Sequence, residues 1–184
     1  MTETNTLQSL YPFLHGRKQD DRALEAGLTE SLRQKATQSV EFQHPVTAGR
    51  PALPAKNLTA DAAVMTAVGN DLGFVHVYLR QIVAHGRPGD GLIGVSTSGN
   101  SENLMAAFDK AKEMGLTTIG LAGMEGGEMA RSPSLDHCLV VATDSIHRIQ
   151  ECHVAIYHIL WDLVHTLLAD ERGALATPTE EAAR

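Results

Sequence analysis

GLIGVSTSGNSENLMAAFDKAKEMG, residues 91–115, is the stretch that decides the fold class. An apolar run from Leu92 to Val95 stops at Ser96-Thr97-Ser98-Gly99-Asn100-Ser101. A helical pattern follows, with Leu104, Phe108 and Ala111 on one face and Gly115 at the position where a helix end favours glycine. Strand, hydroxyl-rich turn and helix start, in that order, make an anion site. The free N–H groups of the first helical turn and the helix dipole face the ligand. A single serine there would only cap the helix. Three serines and a threonine within six residues point instead to a cradle for phosphate. The turn lacks the lysine of G-x-x-x-x-G-K-[ST], so a phosphorylated small molecule suits it better than a nucleoside triphosphate.

Outward from this unit the text alternates between two patterns. Short β-type runs fall at residues 55–59, 92–96, 117–121 and 138–143, and helical stretches at 61–68, 74–84, 102–114 and 145–169. Strands separated by helices of this length imply parallel βαβ units with right-handed crossovers. The expected fold is α/β, a doubly wound parallel sheet flanked by helices, with its ligand at the carboxyl ends of the strands. Upstream, Ala23, Leu24, Leu28, Leu32 and Ala36 keep a helical spacing over residues 23–42, and a polar arm with Leu10, Tyr11, Phe13 and Leu14 as apolar anchors precedes them. The organisation read from this is an N-terminal helical arm (1–39), a domain carrying the phosphate turn (40–172) and a flexible tail (173–184).

The 184 residues are 43% apolar and 20% charged, enough for one domain with a real core. Fifteen basic against twenty-two acidic residues give a net charge of −7, which argues against nucleic acid as a partner. Two cysteines, Cys138 and Cys152, supply neither a disulfide framework nor a cysteine zinc site. The N-terminus has no basic-then-apolar leader pattern and no run of eighteen apolar residues occurs, so a cytoplasmic chain with no membrane partner is expected. Five of the nine histidines lie between His137 and His165, four of them in the helical stretch that begins at Ser145, with Ile149, Ile156, Leu160, Leu163 and Leu167 near one stripe. Val154, Ile159, Trp161 and Val164 lie off that stripe. A helix apolar on most sides is central or packs on another subunit, so an oligomer is expected. Gln150 and His158 differ by eight positions, roughly 12 Å along the axis. They share a ligand only if it lies alongside the helix or if neighbouring subunits share sites.

Three segments, GLIGVSTSGNS (91–101), TTIGLAGMEGGEM (117–129) and RIQECHVAIYH (148–158), closely resemble the phosphoheptose isomerases, single-domain members of the sugar-isomerase (SIS) fold. Arg50-PALPA, Val68-GNDLGF and Gly86-RPGD extend the resemblance over roughly residues 40–170. It implies a flavodoxin-like SIS domain and an aldose–ketose isomerase that interconverts sedoheptulose 7-phosphate and a glycero-manno-heptose 7-phosphate. It also implies a cytoplasmic homotetramer with sites at subunit interfaces and, as in some members, one zinc per subunit. Carried over residue by residue, Ser96, Thr97, Ser98 and Ser101 match the phosphate cradle, and Asn70 and Asp71 a substrate-contacting pair. Glu41 matches the catalytic glutamate, Gln150 the site glutamine and His158 the catalytic histidine. Glu41, Gln150 and His158 also correspond to metal ligands.

The chemistry implied is coherent. Moving a carbonyl between C1 and C2 needs a base for a carbon-bound proton and an acid for the oxygens of an enediol, the roles of Glu41 and His158. A zinc ion would polarise the carbonyl, and phosphate held at Ser96–Ser101 would orient the sugar. One departure stands out. The family's first strand, its GNGGS-type loop and the helix reading D-A-x-H-x-x-x-E are missing near Ser39–Val40, and Thr37 stands where the histidine would lie four before Glu41. His44 is a poor replacement for that ligand, since nothing positions it. The departure keeps a second expectation open, a non-catalytic SIS module that binds a phosphosugar for regulation or assembly.

Overall fold

The computed structural model describes residues 39–45 and 50–176. The N-terminal arm, apart from its last residue, and the tail from 177 lie outside them. Three strands, β1 (Gly91–Ser96), β2 (Thr117–Gly123) and β3 (His137–Val141), form one parallel sheet in that order. Gly91 pairs with Thr117 and Ser96 with Ala122, while Ile119 pairs with His137 and Gly123 with Val141. Four helices are joined to it: α1 (Ala62–Asp71), α2 (Val77–His85), α3 (Glu102–Glu113) and α4 (Ile146–Ala176). Helical residues 39–43 and two 3₁₀ turns, Phe74–His76 and Met129–Arg131, complete the described elements.

Alternation along each strand sends side chains to two covered faces. One face lies under α3, where Phe108, Ala122 and Met129 are fully buried with Leu135, Cys138 and Val140 against them. Leu121, Val141, Ile149 and Ile156 fill the other, beneath α4. Ile82, Ala107, Ala111 and Leu116 join α2 to α3. Helices on both faces of a parallel sheet make the doubly wound architecture expected. Gly94 exists for this packing, since a Cβ there would sit 2.4 Å from the Phe108 ring.

Local chemistry sets several boundaries. Asp61 caps α1, its carboxylate accepting the Val64 N–H at 3.0 Å, a contact worth about 1 kcal/mol. Gly115, at φ +78°, ends α3. The fourth strand expected, at residues 55–59, does not form: the segment has no regular structure through residue 57 and turns at 58–60. In a flavodoxin-like order the first strand lies between the second and third, and no such strand is present among the described residues. Without a ladder partner, the segment's carbonyls are taken by side chains. Gln43 Nε2 donates to the Ala55 carbonyl at 2.7 Å and Gln81 Nε2 to that of Leu58 at 2.8 Å. Two smaller differences concern ends. β3 stops at Val141, two residues early, because the Thr143 N–H turns back onto the Val141 carbonyl at 2.9 Å. α4 runs to Ala176, beyond residue 169 and into the stretch read as tail.

Candidate active site

The serine turn sits at the carboxyl end of β1, where α3 begins. Ser96 is buried, and its hydroxyl lies 3.1 Å from that of Ser101 and accepts the Gly99 N–H at 3.1 Å. Ser98 Oγ accepts the Asn100 N–H at 3.3 Å. Ser101 occupies the N-cap position of α3, yet its side chain makes no capping bond. Its hydroxyl is turned to Ser96 instead, which leaves the first N–H groups of α3 without a capping side chain.

A second loop clasps this turn from behind, and sequence reasoning assigned it no role. The Glu128 N–H donates to Asn100 Oδ1 at 2.9 Å and the Met129 N–H to the Gly99 carbonyl at 3.0 Å. Gly99 takes φ +68° and Gly127 φ +56°, and a Cβ on Gly99 would lie 2.0 Å from the Gly126 carbonyl oxygen. Two backbones meet here with no room for a side chain on either. The GG pair within 117–129 was the available signal.

Glu41 and His158, separated by 117 positions, meet: a Glu41 carboxylate oxygen is 3.5 Å from His158 Nε2. Glu41 is about a quarter exposed and His158 half exposed, so the pair faces outward from the chain. Side chains to which the sequence reading gave no part in the site hold the Glu41 segment on α4. The Trp161 indole N–H donates to the Glu41 carbonyl at 3.1 Å. Arg50 lies 4.6 Å above the Trp161 ring and binds Asp162 at 2.5 Å. Phe42 stacks on buried His165, which leans on Trp161 at 4.7 Å between centroids.

Gln150 sits nearer the amino end of α4, half-buried, beside Ile149. At Gly123 a Cβ would strike both Ile149 and the Thr97 carbonyl, so this end of α4 abuts the serine turn. Buried His153 fastens it, its Nε2 3.0 Å from the Ala122 carbonyl. The helix therefore runs from the serine turn past Gln150 to His158, a span of roughly 12 Å between the last two. Asn70 and Asp71, at the end of α1, are exposed and bonded to each other at 3.0 Å.

Donors for a metal are incomplete. Glu41 and His158 stand at a separation two ligands of one tetrahedral zinc would have, roughly 3.3 Å for bonds near 2.0 Å. Among the described residues, however, no three His, Cys, Asp or Glu side chains converge. Thr37 lies outside the described residues, and exposed His44 makes only its own turn's backbone bond, to the Val40 carbonyl at 2.7 Å.

Comparison with known proteins places this arrangement. The SIS domain family model matches residues 40–123. Phosphoheptose isomerase of Clostridium acetobutylicum is 45% identical over 134 residues, which cover 73% of this chain and 67% of that protein. The chain belongs to the phosphoheptose isomerase family. Another member, from Sulfurimonas denitrificans, is 49% identical over 115 residues, 62% of this chain and 58% of its own. The phosphoheptose isomerase structure from Francisella tularensis superposes with a TM-score of 0.68 at 34% identity, covering 74% of this chain and 72% of that one. For the Neisseria gonorrhoeae phosphoheptose isomerase the TM-score is 0.62 at 30% identity, with 79% and 98% covered. Aligned segments span between 57% and 67% of the first curated phosphoheptose isomerases' length. The family-model match opens at Val40.

Proposed function

We propose that the chain isomerises a phosphorylated sugar between ketose and aldose, with sedoheptulose 7-phosphate and glycero-manno-heptose 7-phosphate as the pair. The observation that carries this reading is the Glu41–His158 contact, because a module that merely binds phosphosugar needs the serine turn but has no use for a carboxylate on an imidazole. Ser96, Thr97, Ser98, Ser101 and the start of α3 hold the phosphate. That remote grip orients the carbon chain along α4, past Gln150, with the carbonyl end at Glu41 and His158. Asn70 and Asp71 serve the sugar hydroxyls.

In the isomerisation, the Glu41 carboxylate takes the proton from the carbon next to the carbonyl. His158 gives a proton to the carbonyl oxygen, and an enediol results. Return of the carbon proton to the neighbouring position, with loss of the other hydroxyl proton, moves the carbonyl by one carbon. The phosphoheptose isomerase resemblance implies zinc, which would polarise the carbonyl, but the described donors do not complete its site and no step is derived through it.

An assembled homotetramer in the cytoplasm, with sites at subunit interfaces, belongs to the same proposal. α4 supports it: Ile159, Leu163 and Leu167 form a stripe 45–62% exposed, more apolar surface than a helix leaves uncovered. That helix is also long and apolar enough to span a membrane by composition alone, with 22% of the segment buried. A second copy on the stripe accounts for it within the family fold.

The test is turnover of sedoheptulose 7-phosphate in deuterated water by protein of verified mass, with and without added zinc. Deuterium enters the sugar's reacting carbon with wild-type protein. It does not with Glu41→Gln, which still binds the phosphosugar. Binding without exchange by wild type would establish the non-catalytic SIS module instead.

A further inference from the structure

The strap around Glu41 has a geometry that the acid–base reading does not use. Glu41 reaches His158 from a helical segment that includes residues 39–43. Its attachment to α4 is made by Trp161, one turn beyond His158 on the same helix. The indole N–H takes the Glu41 carbonyl, and the ring is pinned between Arg50 on one side and His165 on another. Arg50 is in turn tied to Asp162, and Phe42 adds its ring against His165. Trp161 therefore binds the backbone of the very residue whose carboxylate must stay on the imidazole, and Arg50, tied to Asp162, backs the Trp161 ring.

We propose that Trp161, clamped by Arg50 and Asp162, is a positioning residue that holds the Glu41 carboxylate in register with His158. The inference rests on Glu41 and His158 being the acid–base pair. Trp161 touches the main chain of Glu41 and acts only through it. Loss of the indole N–H leaves the turn attached through ring packing and lets the carboxylate drift, and a displacement of about 1 Å reduces turnover as much as a hundredfold. Phosphate binding is unaffected, because the serine turn is built on β1 and α3.

The experiment compares full-length wild type, Trp161→Phe and Arg50→Lys by three measurements: steady-state kinetics, hydrogen exchange of the peptide containing residues 39–45, and thermal unfolding. Trp161→Phe keeps a ring and loses the donor. The expected result is a kcat lower by about ten- to a hundredfold, KM within twofold, faster exchange at 39–45 and little change in exchange over 91–113. Arg50→Lys keeps the charge for Asp162, loses the planar stack and moves the same readouts in the same direction by less. Unchanged kcat together with unchanged exchange at 39–45 in Trp161→Phe overturns the proposal, as does a uniform rise in exchange across the sheet, which marks a merely structural role. Should wild type itself fail to turn over, the acid–base reading falls, and exchange at 39–45 alone then decides whether Trp161 holds the turn. The single tryptophan makes its fluorescence a check that the indole leaves its site when the turn is released.

Discussion

Replacing Gly99 by alanine tests the serine turn at its tightest point. Gly99 adopts φ +68°, and its missing Cβ would fall 2.0 Å from the Gly126 carbonyl oxygen and 2.6 Å from the carbonyl carbon. Both obstacles are backbone, so no side chain can swing aside. A left-handed backbone angle costs an L-residue roughly 1–2 kcal/mol, and forcing two packed backbones apart adds about 1–3 kcal/mol. The sum is about 2–5 kcal/mol, a drop of roughly 5–20 °C in melting temperature for a chain of this size. Gly115→Ala is the matched control. Its φ is +78°, but the nearest atom to a Cβ there is the Pro88 side chain at an ordinary 3.6 Å, so only the backbone penalty applies. Thermal and urea unfolding of both variants, with and without sedoheptulose 7-phosphate, separates the contributions. Gly99→Ala should melt well below Gly115→Ala and lose protection by the phosphosugar, while Gly115→Ala keeps it. Equal melting of the two variants would refute the clash, and full retention of phosphosugar protection by Gly99→Ala would refute the turn as the phosphate cradle.

Other expectations follow from the core and the titratable groups. Leu121→Ala, a fully buried side chain in the cluster with Val141, Ile149 and Ile156, should lower unfolding free energy by about 2–5 kcal/mol in urea titration. Lys112 beside Asp136, with the Thr118 N–H, holds the Asp136 carboxyl down at about 2. Because the folded value lies below the unfolded one, the stabilisation is complete above about pH 4 and disappears as pH falls through about 2. Asp136→Asn should therefore be less stable than wild type at neutral pH, with the gap closing across that acid window in unfolding experiments. Burial raises the thiols of Cys138 and Cys152, with Glu151 adding to the effect on Cys152. Alkylation at pH 8 should be slower than for a free thiol and should recover in denaturing urea.

The segments that the sequence made legible are those whose signals are local. Strand, serine turn and helix over residues 91–115 follow from apolar alternation, small hydroxyls and a terminal glycine, all read within a few residues, and β2, β3 and the four helices follow likewise. The expected strand at residues 55–59 shows where that logic stops. Its β-type composition is intact, but a strand exists only with a neighbour to accept and donate its backbone bonds, and Gln43 and Gln81 take two of its carbonyls instead. Composition therefore settled which segments could pair, and the sheet settled which did. The Glu41–His158 contact spans 117 positions with no periodicity to announce it, and reached the sequence reading through family resemblance alone. Trp161 on the Glu41 carbonyl and Arg50 over its ring carried no local signal of their role, and the Gly126–Gly127 pair marked a close approach without saying that Gly99 was the partner. Each is a contact between distant segments, made by packing α4 and the strands into one body, and packing energy depends on which surfaces meet rather than on the order of residues along the chain.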